Sequence, residues 1–308
     1  MSPLRQALAD YLRLRRALGY KLERAGKLLP QFLDYLEQED AEIVTVERTL
    51  AWATLPAHGS RRWWAFRLSI ARGFAVYLHS LDPAHQVPPP DLLPDRSRRA
   101  TPYLYTNTEI AALIGAADGL RFPLRVATYR TLIGLLAVTG MRIGEAIRLD
   151  RGDLDLAHAL LVVRDSKFGK TRELPLHEST TRALRAYLRL RDRLQPTPQT
   201  PALLVSPAGT RLLYCNVHAT FRQLRDTAGL RPRSDRCRPR IHDLRHSFAI
   251  RTLLDAYHDE GDVQRRLSLL STYLGHVNPG ATYWYLSAAP ELLALAGQRL
   301  ERHLGARR

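Results

Sequence analysis

Hydrophobic residues recur every three to four positions through the first 81 residues, which is the period of an amphipathic helix. The positions that define this period include Leu4, Leu8, Tyr11, Leu12, Leu28, Leu29, Phe32, Leu33 and Leu36. Gly19 and Gly26 interrupt the pattern, and residues 44–55 predict a short third helix. A fourth helix is predicted for residues 60–81. The amino-terminal part of the chain is therefore predicted to be helical.

The predicted fourth helix mixes aromatic and arginine side chains in the sequence SRRWWAFRLSIARGF. One face of such a helix can pack against a core while the other contacts phosphate groups. The arginines predicted to contact nucleic acid in this way are Arg61, Arg62, Arg67 and Arg72. A solvated, arginine-rich face on a core helix is the alternative interpretation.

A proline-rich segment, DPAHQVPPPDLLPDRSRRATP, follows at residues 82–102. Proline removes backbone donors and resists helix formation, so this segment is expected to be extended and semi-rigid. We therefore predict a helical domain at residues 1–90, a linker at 91–102 and a second domain at 103–308.

The second domain is predicted to be mainly α-helical with one small antiparallel β-sheet. It begins with a capping box from Thr106 to Glu109, and a longer helix spans about residues 122–139 before Gly140 stops it. The alternating sequence ALLVVRD, the turn SKFGK and the segment TRELPL predict a hairpin. Further helices are predicted at residues 179–194, 215–228, 242–257, 263–275 and 290–304, with a short one near residue 285.

The charge of the chain favours a polyanionic partner. Lys and Arg outnumber Asp and Glu by 46 to 30, which gives a net charge of +16. Residues 1–90 carry 12 basic and 9 acidic side chains, whereas residues 91–308 carry 34 and 21, so the second domain is the more basic. Only four of the basic residues are lysines, so the nucleotide composition of the coding sequence is an alternative source of the arginine excess.

Other features of the sequence predict a cytoplasmic protein. Cys215 and Cys237 form neither a metal-binding pattern nor a disulfide framework. The first 20 residues carry charges throughout and do not resemble a signal peptide. No apolar run reaches the roughly 18 residues that span a bilayer, so no membrane contact is expected.

Two motifs each place an arginine three residues from a glutamate or a histidine. In TGMRIGEAIRL, Glu145 follows Arg142 by three residues, so the two share a helix face and the carboxylate can orient the guanidinium. In RIHDLRHSF, His242 and Arg245 are also three apart and can point into one site. Two arginines suit a phosphate because each planar guanidinium donates two parallel hydrogen bonds and stays protonated. The spacing of His242 and His246 also matches zinc metalloproteases, but an aspartate replaces their glutamate.

The remaining motifs are the lysine-containing hairpin turn SKFGK, the segment LGHVNP with His276, and Tyr285 nine residues after that histidine. Together and in this order, the motifs resemble the active site of the tyrosine recombinases, also called the phage integrase family. The resemblance is strongest over residues 139–286. The amino-terminal helices are compatible with the core-binding domain of that family, and the second domain resembles its mixed α/β catalytic domain.

The resemblance implies a role for each residue. Tyr285 would attack a DNA backbone phosphate to give a 3′-phosphotyrosyl link and a free 5′ hydroxyl. The expected stabilisers of the phosphorane are Arg142, Arg245 and His276. His242 would assist proton movement at the nucleophile.

Two assignments within the resemblance have alternatives. Lys167 would protonate the leaving 5′ oxygen, but Phe168 stands where the family has glycine, so Lys170 is the alternative general acid and otherwise a candidate DNA contact. Tyr273 and Tyr283 are the competing tyrosines, although the family commonly places its nucleophile nine residues after the histidine.

The resemblance also implies the partners. They are double-stranded DNA with specific recombination sites, a tetramer of this chain on that DNA and candidate accessory recombinases, in a nucleoid-associated protein without metal or other cofactor. The amphipathic carboxy-terminal segment is expected to dock on a neighbouring protomer or on its own domain. Integration, excision or transposition of a mobile element is the expected role. A type IB topoisomerase and a catalytically silent DNA-binding accessory protein of the same fold are the alternatives.

Overall fold

The protein is represented by a computed structural model that describes residues 2–93, 100–164, 169–258, 262–276, 280, 282, 285 and 290–305. The chain divides into two compact units, residues 1–99 and 100–308. Within the described residues it is mainly helical with one small antiparallel sheet, which confirms the predicted fold class. No helix in the described part of the chain is long and apolar enough to cross a membrane.

The helices described in the first unit are α1 (Pro3–Ala17), α2 (Ala25–Gln38), α3 (Val46–Thr54) and α4 (Arg61–Leu81). Their apolar faces meet in a cluster that includes Phe32, Trp52 and Phe74, each no more than 1% exposed. The side chains of Thr45 and Ser60 accept backbone N–H groups at the starts of α3 and α4. These caps explain where the two helices begin.

The arginines of α4 differ in their surroundings. Arg61 and Arg62 are exposed, and Arg72 is half-buried. Arg67 is only 7% exposed, with its guanidinium 3.8 Å from the centroid of the Trp52 ring and its Nη2 donating to the Trp52 carbonyl at 2.7 Å. The predicted DNA contact is therefore wrong for Arg67, because its guanidinium is used inside the unit.

The proline-rich segment begins by packing back on the first unit. The Nδ1 atom of His85 accepts the Val44 N–H at 3.1 Å, and Arg72 Nε donates to the Pro88 carbonyl at 2.8 Å. The leucines at positions 92–93 pack against the hydrophobic cluster of the unit. The part of the segment before residue 94 is thus tied to the helices, where the sequence predicted an extended connection.

The second unit is built around one central helix. The helices whose bounds the structure describes are α5 (Asn107–Ala116), α6 (Pro123–Thr139), α7 (Ile143–Arg148), α8 (Glu178–Leu194), α9 (Tyr214–Thr227), α10 (Asp243–His258), α11 (Val263–Leu274) and α12 (Pro290–Gly305). The central helix α6 contacts α5, α7, α8 and α10 and buries nine of its 17 residues. The predicted capping box from Thr106 to Glu109 is present at the start of α5.

The small sheet carries the predicted hairpin. Its strands β1 (Leu154–Asp155), β2 (Leu160–Val163) and β3 (Arg172–Pro175) pair antiparallel in that order. In the β2–β3 register, Leu161 faces Leu174 and Val163 faces Arg172. Leu161 and Leu174 are fully buried, which fixes the face of the hairpin that meets the core.

Gly140 ends α6 and leads into α7. Its φ of +59° lies in the left-handed region, and a Cβ at this position would overlap the ring of Phe248 on α10. We expect Gly140→Ala to lower the free energy of unfolding by about 2–5 kcal/mol, because a left-handed backbone costs about 1–2 kcal/mol and overpacking adds about 1–3. Denaturant unfolding of the purified protein measures this change.

The matched control is Gly134→Ala in the middle of the same helix. A Cβ at Gly134 would meet no atom within 4 Å. Alanine is favoured over glycine in a helix interior, so this variant should gain about 0.5–1 kcal/mol. Equal stability of the two variants would contradict the explanation given for Gly140.

Candidate active site

Arg142 lies at the start of α7, where the Glu145 carboxylate accepts hydrogen bonds from both its backbone and its side chain. Its backbone N–H donates to Glu145 Oε2 at 2.9 Å and its Nη1 donates to Oε1 at 2.8 Å, so the contact predicted from their spacing is present. The Nη2 atom is 3.5 Å from the Gly275 carbonyl, at the limit of a hydrogen bond, and the side chain is 29% exposed. One edge of the guanidinium is therefore open.

Arg245 lies in the first turn of α10 and is almost completely buried. Its Nη1 donates to the Gly140 carbonyl at 2.8 Å, and its Nη2 donates to the Leu274 carbonyl at 2.7 Å and to His276 Nε2 at 2.9 Å. Burial and then the charge of Arg142 lower the pKa of Arg245 to about 10, so it stays protonated at neutral pH. This side chain connects the carboxy-terminal ends of α6 and α11.

His276 directly follows the helix end of α11. Gly275 adopts φ +67°, and the His276 N–H donates to the Ser271 carbonyl at 3.0 Å in the Schellman arrangement. Because Arg245 can only donate, His276 Nε2 must accept, and the ring proton lies on Nδ1, 2.6 Å from Thr282 Oγ1. Burial, followed by the charge of Arg245, lowers the pKa of His276 to about 4, so the ring is neutral at pH 7.

Tyr285 is buried beside these groups. Its ring centroid lies 6.0 Å from that of His276, with the two planes 20° apart, and 5.5 Å from that of His246. The ring of His246 in turn meets His242 edge-on at 4.9 Å. The Tyr285 hydroxyl lies near the guanidinium of Arg245 and offsets part of the lowering of that arginine's pKa. The ring of His246 therefore lies between those of His242 and the candidate nucleophile.

His242 occupies the turn before α10 and keeps one side open to solvent. Protein atoms packed around the rest of its ring, and then the charges of Arg245 and Arg142, lower its pKa to about 4. The next residue, Asp243, is fully buried and accepts hydrogen bonds from Arg240 Nε at 3.0 Å and Nη2 at 2.9 Å. The Asp243 carboxylate is therefore paired with Arg240. Within the described residues, no three metal-ligating side chains converge.

Arg172, the first residue of β3, is a site residue that the sequence did not reveal. Its Nη2 donates to Glu145 Oε2 at 2.8 Å, and its Nε donates to the Tyr273 carbonyl at 2.8 Å. The alternation of side chains along the strand could have indicated this role, because it places Arg172 on the same face as the buried Leu174. A charged residue on a buried strand face requires a partner.

The carboxylate of Glu145 joins Arg142 and Arg172. Burial alone raises its pKa, but the hydrogen bond and charge of Arg172, and then the hydrogen bonds from Arg142, outweigh burial and bring the pKa to about 2. Glu145 is therefore ionised throughout the physiological range. It balances part of the positive charge of the site.

The described residues of the predicted set come together in the second unit. They are Arg142, His242, Arg245, His276 and Tyr285. Lys167 and the competing Tyr283 lie outside the described residues, whereas Lys170 is exposed. The other competitor, Tyr273, stacks on Phe248 with ring centroids 5.6 Å apart and serves in packing.

The lowered pKa of His276 predicts a pH dependence of stability. Because the unfolded chain protonates this imidazole near pH 6.5 and the folded chain only near pH 4, acidification through this window favours the unfolded state. We expect the melting temperature without DNA to fall between pH 6.5 and pH 4, and to fall less in His276→Gln. Thermal unfolding at half-unit pH intervals measures both slopes. Equal slopes would contradict the neutral state of the half-buried His276.

The comparisons with known proteins all indicate the same family. The sequence profile of the phage integrase family matches residues 104–291. The protein named "Putative integrase/recombinase y4rB" of Sinorhizobium fredii is 44% identical over 308 residues, which covers 98% of each chain. Tyrosine recombinase XerC of Azotobacter vinelandii is 33% identical over 240 residues, covering 78% of this chain and 74% of the relative.

A solved structure shows the same fold. The integrase of transposon Tn1549, in complex with a circular intermediate DNA, matches with a TM-score of 0.66 and 17% identity. The match covers 98% of this chain and 100% of the integrase chain. With the family profile matching more than half of its length and a relative 44% identical throughout, the chain belongs to the phage integrase family of tyrosine recombinases.

Proposed function

We propose that the protein is a site-specific recombinase that cleaves and rejoins DNA through a 3′-phosphotyrosyl intermediate. The observation that supports this function is the convergence of two arginines, two histidines and a tyrosine in one site of the second unit. These residues are Arg142, Arg245, His242, His276 and Tyr285.

The charge balance of the site suits an anionic phosphate. Arg142 and Arg172 pair with the carboxylate of Glu145, and Arg245 lies near enough to feel its charge, so among these described groups three positive charges stand against one negative charge. The neighbouring histidines have pKa values near 4 and add no charge at pH 7. A pentavalent phosphorane carries two negative charges, so the site is complementary to the transition state for attack on a phosphodiester.

In the proposed step, the Tyr285 oxygen forms a bond to phosphorus while the bond from phosphorus to the 5′ oxygen breaks. His242, neutral at pH 7, assists removal of the tyrosyl proton. Lys167, which lies outside the described residues, gives a proton to the leaving 5′ oxygen. The phosphotyrosyl ester retains most of the energy of the original bond, so the 5′ hydroxyl of a partner strand can reverse the step.

We further propose that the protein assembles as a tetramer on two duplexes, with accessory recombinases as candidate partners. Within the described chain, α12 packs against α10 and buries Leu292, while the adjacent Leu293 is 54% exposed. Exchange of α12 between protomers would replace this intramolecular contact by an equivalent one. The similarity of this chain to a transposon integrase supports a role in moving a mobile element.

Covalent trapping on DNA tests the function. The full-length protein first selects duplexes from a random library, and a selected duplex is then made with a nick beside the cleavage point. The short 5′-hydroxyl fragment diffuses away after cleavage, so the covalent complex accumulates. We expect a complex that survives denaturing electrophoresis and contains DNA linked to the peptide around Tyr285. Failure of every selected duplex to give a complex would overturn the proposal.

A plasmid assay separates the proposed function from its alternatives. A recombinase should join two plasmids only when both carry the selected site. Relaxation of a supercoiled plasmid without the site would indicate a topoisomerase. Tight binding to the selected duplex without any covalent complex would indicate an accessory DNA-binding protein.

A further inference from the structure

Arg172 contacts two other elements of the active site from its position at the start of β3. Its two terminal nitrogens meet Glu145 on α7 at 2.8 and 3.3 Å, and its Nε donates to the carbonyl of Tyr273 near the end of α11. The side chain is only 10% exposed. It therefore lies behind the open site and supports it from the protein side.

The carboxylate of Glu145 is saturated by this arrangement. Oε1 accepts from Arg142 Nη1 and Arg172 Nη1, and Oε2 accepts from the Arg142 backbone N–H and Arg172 Nη2. A carboxylate offers about four acceptor positions, and all four are occupied here. Glu145 consequently holds Arg142 through one side-chain nitrogen, and the other edge of that guanidinium stays open for a phosphate.

Removal of Arg172 would change this balance. A buried carboxylate that loses two donors has to recover hydrogen bonds, and the nearest donor is the guanidinium of Arg142. A two-pronged pair between Glu145 and Arg142 would then turn the open edge of Arg142 away from the phosphate position.

The same side chain also supports the turn before His276. A Cβ on Gly275 would lie 3.1 Å from Arg172 Nη1, so the guanidinium packs directly against that turn. Because Arg172 belongs to β3, it also connects the hairpin that bears Lys170 to the arginine at the start of α7.

From these contacts we infer that Arg172 is a positioning residue for strand cleavage, which acts by occupying Glu145 so that Arg142 keeps its phosphate-binding edge free. The inference rests on the proposed function. It assigns Arg172 no contact with DNA and no part in proton transfer.

The test compares single-turnover cleavage of the nicked, selected duplex at saturating protein. We expect Arg172→Ala to cleave about 10- to 100-fold more slowly, the loss typical of removing a residue that supports a directly acting group. DNA affinity, measured by gel shift, should stay at the wild-type value because Arg172 lies behind the site. Arg172→Lys keeps the charge but cannot reach both carboxylate oxygens and the Tyr273 carbonyl, so it should also be slowed.

A double-mutant cycle separates positioning from a general structural effect. If Arg172 acts through Arg142, the double variant with Arg142→Ala should cleave no more slowly than Arg142→Ala alone. If Arg172 merely supports the fold, the two losses should multiply. Should Arg172→Ala fail to fold, Arg172→Lys takes its place in the cycle.

Arg164→Ala is the matched control. Arg164 directly follows β2 and pairs with Asp153 through Nε at 2.6 Å, outside the site. The Arg164→Ala variant should cleave the nicked duplex at the wild-type rate. A wild-type rate for Arg172→Ala, or multiplying losses in the cycle, would overturn the inference, whereas an inactive wild-type protein would overturn the proposed function and the inference with it.

Discussion

Tyr285→Phe is expected to abolish the covalent protein–DNA complex and leave DNA binding intact. The change removes only the hydroxyl oxygen, which is the proposed nucleophile. The ring would keep its contacts with His246 and His276 and its place in the cluster formed by α10, α11 and α12. Denaturing electrophoresis with the nicked duplex measures the covalent complex, and a gel shift with the intact duplex measures binding.

Two further variants make this test specific. Tyr257 packs against the same cluster from α10, so Tyr257→Phe is the matched control and should form the complex normally. Tyr283→Phe examines the competing tyrosine and should also remain active. A complex that persists in Tyr285→Phe and disappears in Tyr283→Phe would move the nucleophile by two residues.

Local interactions explain the features that the sequence predicted well. The capping box from Thr106 to Glu109 and the pair of Arg142 with Glu145 each join residues three apart, so the sequence alone brings them together. Gly140 stops α6 for an equally local reason, because its backbone adopts the left-handed conformation. Short-range rules of this kind require no knowledge of the tertiary fold.

Features that depend on tertiary contacts could not be predicted in the same way. The carbonyl that Arg172 binds belongs to Tyr273, 101 residues along the chain. The error at Arg67 has the same origin, since Trp52 on a different helix covers a guanidinium that helical periodicity cannot assign to core or solvent. The neutral state of His276 at pH 7 likewise requires burial and the charge of Arg245.

Arg245→Lys is expected to slow strand cleavage by a factor of about 10²–10³, or about 3–4 kcal/mol of transition-state stabilisation. A lysine keeps the positive charge but offers one ammonium in place of a planar fork. It cannot donate to the carbonyls of Gly140 and Leu274 at once and still face a phosphate beside His276. Single-turnover cleavage at saturating protein measures the loss.

The same substitution should also lower stability, because a buried carbonyl left without a donor costs about 1–3 kcal/mol. Rates are therefore compared well below the melting temperature of each variant, so that a folding defect does not imitate a chemical one. Arg251→Lys is the matched control, since Arg251 lies on the same helix and donates to the Tyr105 carbonyl at 3.4 Å outside the site. Cleavage by Arg245→Lys at the rate of this control would show that charge alone suffices, and that the fork of Arg245 does not bind the phosphate.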